Sequence, residues 1–261
     1  MLDKGSVGIG IIIAVVTLLS IGGGVLLFRS GESFDESKVI EVNSNIESYK
    51  IESNFQIDFD IGFQGIQSSR NFNKMETTGY VDLKNKRLIL ERMQSGIEVE
   101  IEDGKEKTDD SSYRGKMLVE NNQVTVEGSN FDSDVEDISG LDKFEVVWSK
   151  QQDYLFKLLG MVEETEIESK KMDGKYLVVT YKPPYESFLD FVDPQYFSMA
   201  EDVIEEHYLK IWIDKNNFVV KDEFFMNVSF DYSGASMDLM MHLINERTEI
   251  NKYFSDKVFE I

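Results

Sequence analysis

The sequence predicts an α+β domain built on a long, bending antiparallel sheet, preceded by one N-terminal membrane-spanning helix. An uncharged run from Val7 to Phe28 opens the chain. Behind it, Tyr49 to Phe63 alternates apolar and polar residues, the period of two that marks a strand with one buried face. Further alternating stretches follow, joined by short polar turns.

Composition narrows the classes. The 261 residues make one large domain or two small ones at roughly 150 residues per domain. Lys and Arg total 27 against 49 Asp and Glu, a formal charge of -22, so the surface repels phosphate backbones and no nucleic-acid partner is expected. With 41% hydrophobic and 12% aromatic residues and 3 Pro, the chain can bury a large core and is not a disordered acidic tail. There is no Cys, which removes disulfides, thiolate metal sites and cysteine nucleophiles together. His207 and His242 are the two histidines.

At ~1.5 Å per helical residue, Val7 to Phe28 reaches ~33 Å, the thickness of a bilayer core. Lys4 precedes it, while Arg29 is followed by Glu32, Asp35 and Glu36, which places the N-terminus inside and the rest outside. A cleaved signal is the competing reading. Such signals carry apolar cores of ~7 to 15 residues, and no A-x-A-type site follows, although Ser20 to Gly24 is small enough for a peptidase. A retained anchor is favoured, and either reading puts the remainder outside the cytoplasm. Lys4-Gly5 resembles the processing site of archaeal pilin-type precursors. The organisation is therefore an anchor or signal over residues 1–29, a linker over 30–37 and a single domain over 38–261.

Within the domain, Val39, Val42, Ile46 and Tyr49 follow helical spacing, with Asp35 and Glu36 suited to the positive N-terminal end. The strand from Tyr49 to Phe63 places Tyr49, Ile51, Phe55, Ile57, Phe59, Ile61 and Phe63 on one face, interrupted only by Ser53. At ~3.3 Å per residue it would extend ~50 Å, so it must bend around something. Strands are predicted over Met75 to Leu83, Arg87 to Gln94, Gly96 to Glu102, Lys116 to Val119 and Gln123 to Glu127, with turns at Lys84-Asn85-Lys86 and Glu120-Asn121-Asn122.

After an acidic loop, Phe144, Val147, Trp148, Leu155, Leu158 and Val162 suggest a helix packed on the sheet. Asp173-Gly174 marks a hairpin between Glu164–Ser169 and Lys175–Tyr181, which Pro183 and Pro184 end. Tyr185 to Met199 is aromatic-rich and continues toward Glu206 with helical character. A second hairpin turns at Lys215-Asn216-Asn217, between Leu209–Asp214 and Phe218–Lys221. The alternating runs Phe224–Phe230 and Ala235–Leu243 complete the sheet.

This order of elements resembles the LolA-like superfamily of lipoprotein carriers and lipid-binding lipoproteins. The likeness rests on the helix and long strand of Val39 to Phe63, on Gly79-Tyr80-Val81-Asp82, on Trp148, on Met172-Asp173-Gly174-Lys175 and on Ile211-Trp212-Ile213-Asp214-Lys215-Asn216. It implies a half-open barrel whose concave side, covered by helices, holds an acyl chain or another apolar ligand. The strongly aromatic face of the long strand agrees. The family's carriers are soluble or anchored through Cys, which this chain lacks.

Catalytic signatures are missing: there is no G-x-S-x-G elbow, H-E-x-x-H helix or Walker loop. His207 beside Glu205 and Glu206 makes a poor zinc site and reads as a surface histidine. His242 has the opposite parity to Met241 and Leu243. Asp132, Asp134, Glu136 and Asp137 lack the spacing of an EF-hand. Asn227-Val228-Ser229 is a glycosylation sequon.

The resulting expectation is a non-enzymatic domain outside the cytoplasm, anchored in the membrane through residues 7–28. It needs no cofactor or metal and binds a lipid or other apolar molecule. Its expected lining is Phe55, Ile57, Phe59, Phe63, Leu158, Phe188, Phe191, Phe224 and Met226. The alternative is a cell-surface interaction or pilin-like assembly protein with a packed scaffold and acidic partner-binding loops.

Overall fold

The computed structural model describes residues 34–63, 66–102, 105–128, 142–150, 159–160, 162–163, 165–183, 201–232 and 235–260. Helix α1 (Glu36–Ser44) starts where Asp35 accepts a hydrogen bond from the Lys38 amide at 3.2 Å, a side-chain cap for an otherwise orphaned donor. Then come β1 (Ser48–Phe63), β2 (Ile66–Asp82), β3 (Arg87–Glu102), β4 (Lys105–Glu120), β5 (Gln123–Gly128) and helix α2 (Lys143–Lys150). The second half holds β6 (Ile167–Asp173), β7 (Tyr176–Tyr181), β8 (Glu201–Ile213), β9 (Val219–Tyr232), β10 (Ala235–Thr248) and a closing 3₁₀ turn, Asp256–Phe259.

The ten described strands form one antiparallel sheet in the order β5-β4-β3-β2-β1-β10-β9-β8-β7-β6. Two meanders thus meet where β1 pairs with β10, and β5 and β6 lie at the open edges. At ~4.8 Å between strands a flat sheet would hold those edges ~43 Å apart. Yet Val124 and Val126 of β5 and Ile167 of β6 pack against the same apolar cluster, which also contains Val39 of α1 and Phe144 and Val147 of α2. The sheet therefore curls around its helices into an open, barrel-like shell.

Turn chemistry sets the registers. Asn121 and Asn122, both at positive φ (53° and 59°), join Glu120 to its partner Gln123, the geometry that suits the twist of a tight hairpin. Gly174 (φ 59°) serves the same purpose between Asp173 and Tyr176. At Gly79 the constraint is space: a Cβ there would lie 2.1 Å from the Ile89 carbonyl oxygen.

Several elements differ from the sequence reading. Helix α1 ends at Ser44, and Tyr49 belongs to β1. The strands expected over Arg87–Gln94 and Gly96–Glu102 are one strand. Those expected from Met75 and Lys116 begin earlier, at Ile66 and Lys105. Glu201 to Glu206, expected to be helical, is strand, because it pairs with β9; that pairing outweighs a weak local preference. No described helix is long and apolar enough to cross a membrane. The expected anchor, residues 7–28, lies outside the described residues, as do the acidic loop Asp132–Asp137, Leu158, Phe188 and Phe191.

Candidate functional site

Strand pairing arranges the inner face in rows that run across neighbouring strands, and three kinds of row succeed one another. The near rows, at the helix-covered end, are apolar. Tyr49, Val81, Leu88 and Val119 form one, and Ile51, Leu90 and Met117 another; all are buried in the main core. Tyr49 also accepts a hydrogen bond from the Trp148 indole at 3.1 Å, tying α2 to β1.

The next row is polar. Asp222, Asn245, Ser53, Thr77 and Arg92 are consecutive cross-strand partners on β9, β10, β1, β2 and β3. Asp222 and Asn245 are 0% exposed, and Ser53 and Thr77 are 7%. Asp222 takes an ion pair from Arg247, one row below on β10 and equally buried, and a hydrogen bond from Asn245 Nδ2 at 2.9 Å. Arg92 Nε donates to Thr77 Oγ1 at 3.4 Å. Charges so deeply buried persist only when paired and hydrogen-bonded.

Beyond this belt the inner face splits. On β1, β10 and β9 it turns apolar again. Phe224, Met226, Val228, Leu239, Met241 and Leu243 are buried, with Phe55, Ile57, Phe59 and Met237 partly buried against them. On β2, β3 and β4 the row of Phe55 continues through Met75, Gln94 and Tyr113, that of Ile57 through Asn73, Gly96 and Ser111, and that of Phe59 through Asn71, Glu98 and Asp109, so past Met75 these strands offer a largely polar face. From Lys105 to Arg114, β4 is exposed along its whole length.

Of the expected lining, Phe55, Ile57, Phe59, Phe224 and Met226 share one cluster. Phe63 lies at the end of β1, but its side chain is outside the described part, as are Leu158, Phe188 and Phe191. Among the described residues two pockets stand out, and neither is lined by these side chains. One of about 100 Å³ borders Lys74, Glu76, Met93, Gln94, Ser95 and Ser112. The other, about 320 Å³, borders Glu36, Ser37, Ile40, Glu41 and Glu163.

His207 is not the surface residue the sequence suggested. It opposes Met226 in register, so it sits at the margin of the apolar rows, partly buried, with Nε2 donating to the Pro183 carbonyl at 3.0 Å. Burial holds its imidazole below the ordinary value, with Lys182 acting the same way and the Pro183 hydrogen bond opposing. Its parity with Leu209 and Ile211 was the signal for an inward position. His242 lies on the outer face, where its Nε2 and the Tyr208 hydroxyl both donate to Glu223 Oε1, at 3.1 and 2.9 Å. Phe225 stacks on Tyr208 with ring centroids 5.3 Å apart. Burial, then the Glu223 contact, raises the Tyr208 hydroxyl above its usual value. No group of three or more His, Asp or Glu that could hold a metal occurs among the described residues.

No family model and no curated protein matches the chain. Among solved structures, it is similar to a β-barrel-like protein of a domain of unknown function from Brucella abortus. That match has 13% identity, covers 78% of this chain and 99% of that one, and has a TM-score of 0.19. A second is the translocator domain of the autotransporter NalP from Neisseria meningitidis, at 6% identity over 94% and 98% of the chains with a TM-score of 0.20. A third is the attachment invasion locus protein Ail of Yersinia pestis, at 5% identity over 77% and 99%, with a TM-score of 0.17. At such scores the superpositions carry no argument, and the functional reading rests on this chain's own residues.

Proposed function

We propose that this chain is a non-catalytic binding domain, tethered outside the cytoplasm by residues 7–28, that holds a lipid or another apolar molecule on the inner face of β1, β10 and β9. One observation carries the reading. Past a belt of buried polar groups, where a core would ordinarily end, a second apolar cluster begins and leaves Phe55, Ile57 and Phe59 partly accessible along one strand. Apolar side chains at a concave face, limited by a few polar groups, are what apolar ligands bind, and each Å² of apolar area covered contributes ~25 cal/mol.

A second reading, a surface interaction protein, draws on Met93 and Ile97, which remain 48% and 43% exposed on β3. Photolabelling separates the two. The full chain in native membranes is irradiated with a long-chain alcohol carrying a diazirine in its alkyl chain, and the labelled peptides are mapped. Binding at the proposed site labels β1, β9 and β10, and Ile57→Asp lowers that labelling at least ~10-fold by placing a charge among apolar groups. Label confined to residues 7–28 would leave only the bilayer as the source of contact and overturn the proposal.

A further inference from the structure

We infer that the ligand of this face is a neutral amphiphile whose hydroxyl or amide head is received by Ser53 and Asn245; this rests on the apolar binding site proposed above. Ser53 and Asn245 are direct cross-strand partners at the centre of the polar belt, immediately below Phe55 and its partner Leu243. Among the described residues, neither Ser53 Oγ nor Asn245 Oδ1 has a hydrogen-bond partner, although both side chains are more than nine-tenths buried. Their neighbours in the row are engaged, Asp222 with Asn245 and Arg247 and Thr77 with Arg92. Two orphaned polar atoms on paired residues of neighbouring strands, at the foot of an accessible apolar strip, form a head-group seat.

The chemistry of the head follows from the donors and acceptors. Asn245 Nδ2 faces the Asp222 carboxylate, which can only accept, so the amide orientation is fixed and the orphaned atom is a carbonyl oxygen. It requires a donor. An ionised carboxylate offers none, so a fatty-acid anion does not fit. An ammonium would enter beside Arg247, which already neutralises Asp222. A hydroxyl or amide supplies the donor to Asn245 and can also accept from, or donate to, the Ser53 hydroxyl. The alkyl chain then follows Phe55, Ile57 and Phe59 along β1.

The test is competition against the photoreactive alcohol in membranes holding the full chain, using dodecanol and its methyl ether, which has the same chain but no donor. A buried acceptor left unsatisfied costs enough to separate the two competitors about tenfold. The expected result is that dodecanol competes at about one tenth the concentration of the ether, and that the gap closes in Asn245→Leu, which removes the acceptor, but persists in Ser53→Ala, where the Asn245 oxygen still requires a donor. Because the Ser53 Oγ has no partner among the described residues, Ser53→Ala should leave the fold intact and serves as the control for Asn245→Leu. Equal competition by alcohol and ether, the orphaned atoms being served by water, overturns the head-group seat while the apolar site stands. A gap that persists in Asn245→Leu also overturns it. Failure of both competitors to reduce labelling of β1, β9 and β10 overturns the apolar site itself.

Discussion

The near and far ends of the sheet share the same strands and the same antiparallel register, yet they are different materials. At the near end the inner residues of nearly every strand are apolar and buried beneath α1 and α2. At the far end β1, β10 and β9 keep an apolar inner face, while β4 is exposed from Lys105 to Arg114. Pairing alone therefore does not make a core; apolar side chains must arrive from both walls. Where one wall is polar, the other is left with accessible rings, and that asymmetry is what makes the far end a candidate site.

The boundary between the two ends is the place to break this comparison most severely. Asp222→Ala leaves the buried Arg247 guanidinium without its principal anion and should cost ~3–5 kcal/mol, seen as a large drop in the urea midpoint. The double variant Asp222→Leu with Arg247→Met should recover most of the loss, since a buried pair adds little over apolar residues of similar size. Failure to recover would mean that the belt holds the two ends together.

A smaller effect sharpens the contrast. Leu88→Ala, at a fully buried near-end position, should cost ~2–5 kcal/mol. Ile57→Ala, partly buried at the far end, should cost less than ~1.5 kcal/mol, because less area leaves contact on truncation. Equal losses by thermal or urea denaturation would show the far cluster to be as closely packed as the core.

The smallest effect is pH-dependent. His207 titrates below its ordinary value in the folded chain, so in mild acid the unfolded chain takes up its proton first. Stability should then fall as pH drops below the unfolded value of about 6.5, and stop falling once the folded imidazole also protonates. In His207→Gln that part of the pH dependence should disappear, as read from urea midpoints between pH 7 and pH 5.

Much of the near end was legible in the sequence. The odd-position run from Tyr49 to Phe63 gives β1 within a residue of its observed start, and Asp173-Gly174 and Asn121-Asn122 mark turns that the backbone adopts. The beginnings of β2 and β4 were not legible. Residues such as Lys105 to Ser112 are exposed on both faces, and a strand with two wet faces has no apolar period to read. Ser53 was visible as a break in the β1 pattern but had no meaning there. Its partners Thr77 and Asn245 come from distant parts of the chain, and only their meeting turns a break into a buried belt.

By itself, the sequence determined the local conformations: where the chain runs extended, where it turns, and which side of each strand is oily, because these follow from side chains a few positions apart. Which strands become neighbours was decided only by the tertiary structure. Joining β1 to β10 places Ser53 against Asn245 and aligns two oily strips. That outcome depends on a long-range register set by the closing of the whole sheet, which no short stretch of sequence contains.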